Sequence, residues 1–306
     1  MVYFNLLASL ILLITTGFLL GKLKRLPINE TKVINGFLII VALPASIFIS
    51  LTSINKAGLT SYLNFAVINF VLFALFILGS YFLLGLFIKD KKRLGAAFQS
   101  ASIGNVVFLG YPVIETTLGK EYLGYASIYA AVFFLVLAFL PVFIITESKE
   151  KGLRLKRTLK TLATNFILIA TVLGFIVLLS NIKVPDFILN PLTSIATTTT
   201  PLALIFIGLF LSKQFKLENT RLLSFIAIFK LVLMPLIVLA TLKITNLLIN
   251  QQLVISVLMA AMPTAAIVAA FTEEDKLDAK LGVNSIIIST ILFIPVLFLW
   301  IYLLGL

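Results

Sequence analysis

Among the polar residues inside long apolar stretches of this 306-residue chain, Asn105 and Lys230 could do chemistry. A lone amide or ammonium among apolar side chains costs free energy unless it finds a partner or a ligand. The amide of Asn105 can donate and accept hydrogen bonds, whereas the ammonium of Lys230 only donates and carries a positive charge. Asn105 could therefore contact a substrate, and Lys230 could be the counter-charge of an anionic one.

Lys230 also has a structural explanation. It lies eight residues after Leu222, which begins an apolar stretch, and eight helical residues span about 12 Å. The long side chain could therefore reach the cytoplasmic surface or pair with another group inside the protein. The sequence favours these two interpretations, with a counter-charge for an anionic substrate as the alternative.

Asn105 belongs to a segment in which a helix is expected to break. The segment 104–112 reads GNVVFLGYP, and a second segment, 262–266, reads MPTAA. Glycine and proline weaken or interrupt helical hydrogen bonding, and broken backbone at membrane depth is tolerated only where it is buried in protein or faces a wet cavity. If two such helices cross, the N-termini of their second halves, near Pro112 and Pro263, would direct free N–H groups towards an anion. Proline kinks that only shape packing are the alternative.

The composition places the chain among membrane proteins. It is 61% hydrophobic and 12% charged, with a mean hydropathy of +1.16, whereas soluble proteins average about 25% charged residues. The net charge of +12 does not indicate nucleic-acid binding, because 19 of the 24 basic residues fall in alternate short loops between apolar stretches. Basic residues in that pattern orient a membrane protein.

The chain contains no His and no Cys. Their absence from the sequence excludes thiolate and imidazole metal sites and catalysis by a His or Cys base or nucleophile. The sequence also lacks HExxH, DDxxD and paired-aspartate patterns, which hydrolysis or prenyl transfer would require. We therefore predict neither enzyme activity nor a cofactor or metal.

Ten apolar stretches are each close to the ~20 residues that a helix needs to cross hydrocarbon. We call them spans 1 to 10, in chain order: 3–20, 33–51, 62–88, 94–118, 123–146, 162–180, 191–212, 222–242, 251–271 and 281–304. The loops after odd-numbered spans hold 19 basic residues, and the opposite loops hold four. This bias predicts a multi-pass protein of the cell membrane with both termini outside.

The two halves of the chain resemble a repeat. Five spans per half is an odd number, so the second copy would enter from the other side of the membrane, as in many secondary transporters. We expect a first five-helix repeat at 1–146, a cytoplasmic linker at 147–161 and a second, inverted five-helix repeat at 162–306. Proline frequency in membrane helices is the alternative explanation. Three proline pairs, 151 to 157 residues apart, support the repeat: Pro44 and Pro201, Pro112 and Pro263, and Pro141 and Pro295.

These motifs, in this order, resemble the auxin efflux carrier family, which includes plant auxin exporters and bacterial malate and malonate permeases. The residues that carry the resemblance are Asn105, Phe108-Leu109-Gly110 and Pro112, Leu43-Pro44-Ala45, Met262-Pro263-Thr264-Ala265-Ala266, and Ser289-Thr290. The resemblance implies an all-α polytopic membrane protein with ten helices in two inverted repeats. It also implies that broken helices 4 and 9 cross at a site for a carboxylate-bearing substrate.

The sequence departs from the family pattern in two places. Ile267 stands where the family commonly has Asn, which removes one expected polar contact to substrate. The large cytoplasmic loop of the long plant exporters is absent, which suggests a prokaryotic-type member. We predict seven substrate-binding residues: Asn105, Gly110, Tyr111, Pro112, Lys230, Pro263 and Thr264.

The expected function is secondary transport of small organic anions, such as auxin-like or dicarboxylic acids, by alternating access around the crossing. The alternative is a sodium- or proton-coupled symporter or antiporter of a related inverted-repeat fold, of the bile-acid symporter kind. That alternative would need a coordinated ion or a midplane carboxylate. The threonines at 197–200 could bond local carbonyls or hold a coupling ion. The expected partners are the anion and the lipid bilayer, with a homodimer as a further option.

Overall fold

The computed structural model describes residues 2–25, 28–54, 58–137, 160, 163–180, 182–212, 219–248 and 250–306. This part of the chain forms fifteen α-helices and no β-strand. A short 3₁₀ turn, Lys120–Tyr122, precedes the seventh helix. The helices are α1 (Val2–Lys22), α2 (Ile28–Phe37), α3 (Leu43–Thr52), α4 (Leu59–Phe87), α5 (Lys91–Ser102), α6 (Gly110–Thr117), α7 (Leu123–Leu137), α8 (Phe166–Ser180), α9 (Asp186–Thr197), α10 (Thr199–Leu211), α11 (Thr220–Ile228), α12 (Met234–Thr245), α13 (Asn250–Ala260), α14 (Val268–Glu274) and α15 (Ala279–Leu303).

Several of these helices have the length and apolar character of membrane spans. Two shorter apolar helices, Ala8–Lys22 and Phe166–Ser180, coincide with spans 1 and 6. Spans 4 and 9 are each split into two helices that are too short to cross alone. The architecture is that of an all-helical, polytopic membrane protein. Among the described residues, six segments are long and apolar enough to cross: Val33–Thr52, Leu59–Phe87, Lys120–Leu137, Asp186–Leu211, Thr220–Thr245 and Ala279–Leu303.

The predicted linker at 147–161 lies outside the described residues, apart from Lys160. The last nine residues of span 5, 138–146, also lie outside them. The linker prediction therefore stays a prediction.

Two helical segments contain a wide turn immediately before a proline. The backbone forms a π-helical turn at Leu38–Ala42, before Pro44, and another at Phe229–Leu233, before Pro235. Because proline has no N–H for the carbonyl four residues earlier, the helix changes its hydrogen bonding at these points. The second turn contains Lys230 and joins α11 to α12 in one helical segment.

The chain divides into two compact units. Unit 1 comprises Met1–Ala66, Val107–Leu135 and Gly152–Gln214. Within it, α3 packs against α8 and α9, and α1 packs along α10.

Glycines allow the backbones of α1 and α10 to touch. A Cβ added to Gly17 would overlap the carbonyl oxygen of Ile205, and one added to Gly208 would overlap that of Ile14. Small residues at such contacts let membrane helices approach closely, where dispersion contacts hold them together. In this contact, α1 and α10 are both unbroken and pack closely against each other.

Unit 2 comprises Val67–Val106, Val136–Lys151 and Phe215–Leu306. Within it, α15 packs against α5, α11 and α14. The indole N–H of Trp300 on α15 donates to the carbonyl of Leu231 at 2.9 Å, which ties α15 to the π-helical turn. The polar side chains of α15 that are buried are Asn284, Ser285, Ser289 and Thr290.

Candidate functional site

Span 4 is broken, as the sequence predicts. The helix α5 ends at Ser102 and α6 begins at Gly110, and the backbone at Ile103 is extended, with φ −94° and ψ 96°. Residues 103–109 therefore expose backbone groups that no helix pairs.

Span 9 is broken at a similar position. The helix α13 ends at Ala260 and α14 begins at Val268. The second half of span 4 begins two residues before Pro112, near that proline as expected, whereas the second half of span 9 begins five residues after Pro263. In span 9, the β-bridge at Thr264 and a turn at Ala266 and Ile267 separate the proline from the second helix.

The two breaks pair with each other inside unit 2. The N–H of Asn105 donates to the carbonyl of Pro263 at 2.7 Å, and the N–H of Ala265 donates to the carbonyl of Ile103 at 2.9 Å. Gly104 and Thr264 thus form an antiparallel β-bridge. We call residues 103–105 and 263–265 the crossing. Backbone groups that the broken helices release satisfy one another here, as buried backbone must.

Side chains of neighbouring helices hold the crossing. The hydroxyl of Thr264 donates to the carbonyl of Ser100 at 2.8 Å, and the N–H of Thr264 donates to Oγ of Ser289 at 3.0 Å. The N–H groups of Thr264 and Ala265, expected from the sequence to be free for an anion, therefore have protein acceptors. These two N–H groups are therefore used within the protein.

Lys230 points at the crossing. Its side chain is buried, with 1% exposed, and a Cβ built on Gly104 would lie 2.9 Å from its Nζ. The ammonium lies 3.3 Å from Sδ of Met234, a weak acceptor. Within the part of the chain that the structure describes, Lys230 forms no ion pair. The expectation that it reaches the surface is wrong, because the side chain turns inward to the glycine.

The amide of Asn105 is the second polar group at the crossing. Its side chain is 7% exposed and makes no hydrogen bond to any residue in the described ranges. A buried amide without a partner is expensive. One ammonium, held by the weak acceptor Met234, and one amide therefore lie at or beside the crossing.

The seven predicted substrate-binding residues fall in both units. Asn105, Lys230, Pro263 and Thr264 come together at the crossing in unit 2. Gly110, Tyr111 and Pro112 begin α6, which belongs to unit 1, and all three are buried there.

The threonine run divides into local and long-range contacts within unit 1. The hydroxyls of Thr197 and Thr198 donate to carbonyls of their own helix, as expected. Thr199 donates to the carbonyl of Ala42 at 3.0 Å, and Thr200 donates to Oε2 of Glu115 at 2.8 Å. All four hydroxyls have protein acceptors.

Gly104 in the crossing and Ser289 beside it have roles that the sequence did not reveal. Gly104 gives the Lys230 ammonium room against the backbone, and Ser289 accepts the N–H of Thr264. The position of Gly104, directly before a lone Asn in a broken span, is the sequence signal that could have identified it.

The chain matches known membrane transporters along its length. A family model described as membrane transport protein matches residues 2–158 and 153–301. An uncharacterized transporter of Methanocaldococcus jannaschii is 28% identical, with 98% of each chain covered. One of Methanothermobacter thermautotrophicus is 27% identical, with 95% of each covered, and YfdV of Escherichia coli is 24% identical over 97% of this chain and 96% of the other. The chain therefore belongs to the membrane transport protein family, that of the auxin efflux carriers.

Proposed function

We propose that this transporter carries small organic anions, such as auxin-like or dicarboxylic acids, by alternating access around the crossing. The observation that carries the proposal is the buried Lys230 ammonium against Gly104, without an ion-pair partner in the described ranges. A buried charge is strongly destabilising unless an opposite charge compensates it. A carboxylate bound at the crossing would supply that charge.

The Asn105 amide supports the same substrate class. A carboxylate has more acceptor sites than one ammonium can fill, and the amide N–H₂ offers two further donors. We propose a substrate-binding role for Asn105 and Lys230 directly and for Pro263 and Thr264 through the crossing that they hold. The same role for Gly110, Tyr111 and Pro112 stays a prediction from the sequence.

The proposed function includes a membrane arrangement. We propose ten spans in two inverted repeats, 1–146 and 162–306, with both termini outside and the linker in the cytoplasm, because the loop charges and the proline pairs support it. Since the chain has no native Cys, single cysteines can report the topology. A cysteine in place of Lys56 should react with an impermeant reagent added outside, and one in place of Lys91 should not; the opposite pattern would overturn the orientation.

Transport by purified protein in liposomes tests the substrate class. We expect uptake of radiolabelled indole-3-acetate, malate or malonate, but not of a neutral or cationic compound of similar size. Lys230→Met should lower acid binding by about tenfold or more, since a charge-assisted hydrogen bond contributes about 1.5–3 kcal/mol. Lys243→Met, at an exposed position, is the matched control and should bind normally.

Two outcomes of this experiment would change the proposal. Normal acid binding by folded Lys230→Met protein would remove the ammonium from the site. Uptake that requires a sodium or proton gradient would favour the coupled symporter or antiporter alternative.

A further inference from the structure

The charge balance of the crossing depends on what occupies it. Within the described part of the chain, Nζ of Lys230 lies against Gly104 and Met234, neither of which carries a charge. The side chains that hold the crossing, Thr264 and Ser289, are neutral as well. When the site is empty, the ammonium is buried without compensation.

We propose that the carrier is an exchanger: after it releases one organic anion, it binds another before it returns. This inference rests on the proposed function, because it concerns the same crossing and the same substrates. It adds that net movement of one anion without a return anion is slow.

The physical reason lies in the closed state, through which any alternating-access carrier must pass between its two open states. In that state water leaves the site, so the energetic penalty of an uncompensated charge rises. A carboxylate bound to Lys230 neutralises the ammonium, and the loaded carrier passes through this state readily. The empty carrier passes through it with a bare charge, and its return is therefore the slow step.

The position of the ammonium strengthens this argument. Lys230 lies within a helix on a π-helical turn, and 1% of the residue is exposed, so in this conformation solvent compensates little of its charge. The amide of Asn105 adds dipoles but no charge. The described groups against the ammonium carry no charge, so a bound carboxylate would neutralise it.

The test compares uptake of labelled acid into two sets of proteoliposomes. One set is preloaded with the same unlabelled acid and the other is empty, and valinomycin with equal potassium on both sides holds the membrane potential at zero. We expect uptake into preloaded vesicles to be about tenfold faster or more, since the penalty for a bare buried charge slows the empty carrier. The probes are indole-3-acetate, malate and malonate.

The controls separate this inference from the proposed function. Equal uptake into both sets would overturn exchange while leaving anion transport intact. Uptake of none of the acids, by protein that is folded and inserted, would overturn both. Proton-driven uptake into empty vesicles, at the rate of preloaded ones, would also overturn exchange, because the lysine would then return uncharged.

Variants of Lys230 link the effect to the ammonium. Lys230→Met should bring the two rates to within about twofold of each other, because no bare charge then slows the empty carrier. Lys230→Arg keeps the charge and should keep the difference, and Lys243→Met should resemble the wild type. A Lys230→Met carrier that retains the full difference would overturn the assignment to this residue.

Discussion

Glycines lie against different groups in two regions of this molecule, the α1/α10 contact of unit 1 and the crossing of unit 2. At the α1/α10 contact, a Cβ on Gly17 or Gly208 would overlap backbone of the facing helix. At the crossing, a Cβ on Gly104 would meet the far end of a lysine side chain. The backbone cannot move unless a whole helix shifts, whereas the end of a lysine side chain can move while its helix stays in place.

This difference in what the glycine meets distinguishes a contact that packs helices from one that lies beside polar side chains. The α1/α10 contact joins two intact helices whose carbonyls are paired within each helix. The crossing joins two broken helices, and beside it lie the ammonium of Lys230 and the unbonded amide of Asn105. At the crossing, unlike at the α1/α10 contact, the close glycine contact is with a charged side chain rather than with backbone.

The largest effect is expected at the α1/α10 contact. Gly17→Ala or Gly208→Ala should force the two helices apart, at a cost of about 1–3 kcal/mol, and lower Tm by several degrees. Thermal unfolding in detergent measures this.

The matched control for that prediction is Gly79→Ala. A Cβ at Gly79 in α4 meets nothing within 4 Å, and alanine favours a helix over glycine by about 0.5–1 kcal/mol. Its Tm should be unchanged or higher. Equal Tm values for the Gly17 and Gly79 variants would contradict the close backbone contact.

A smaller effect, of a different kind, is expected from Gly104→Ala. Gly104 does not have a positive φ, so alanine fits the backbone, and only the ammonium of Lys230 must shift. A weakened charge-assisted contact of about 1.5 kcal/mol corresponds to roughly tenfold in acid affinity. Equilibrium binding should show this loss while Tm stays near the wild-type value; a large fall in Tm with normal affinity would make Gly104 a packing residue.

The next effect is that of Asn105→Ala. Loss of one hydrogen bond from this neutral amide to the substrate carboxylate costs about 1.5 kcal/mol, the low end for a bond to a charged group, which lowers affinity by about tenfold. Tm should not fall, because the amide has no hydrogen-bond partner in the described part of the chain. Unchanged affinity and transport kinetics would exclude Asn105 from the site.

The smallest effect is expected from Thr200→Val in unit 1. This substitution removes the hydrogen bond to Glu115, which contributes about 0.5–1.5 kcal/mol. Tm should fall slightly, and acid uptake should be unchanged both with and without sodium. Thr198→Val, which loses only a bond to its own helix, is the control. Loss of sodium-dependent uptake in Thr200→Val alone would give the threonine run a coupling role.

The sequence predicted the features that depend on local chemistry. The family resemblance is confirmed. The helical membrane class is confirmed as well, because composition determines it. So are the breaks around Asn105 and Pro263, because helix-breaking residues determine them. It did not predict how the broken backbones pair, since the bond from Asn105 to Pro263 joins residues far apart in the chain. The inward direction of Lys230 was not predicted either, since the contact with Gly104 also joins residues far apart in the chain.

The π-helical turn at Phe229–Leu233 determines which residues share a helix face. A turn closed five residues back holds one residue more than an α-helical turn, and one residue corresponds to about 100° of rotation. A helical wheel drawn straight through the segment Thr220–Thr245 therefore assigns one half of it to the wrong side. In a related protein that lacks one residue next to the Met-Pro pair, every side chain beyond that point would be rotated by the same angle. Alignments of this helix should therefore be judged separately for its two halves.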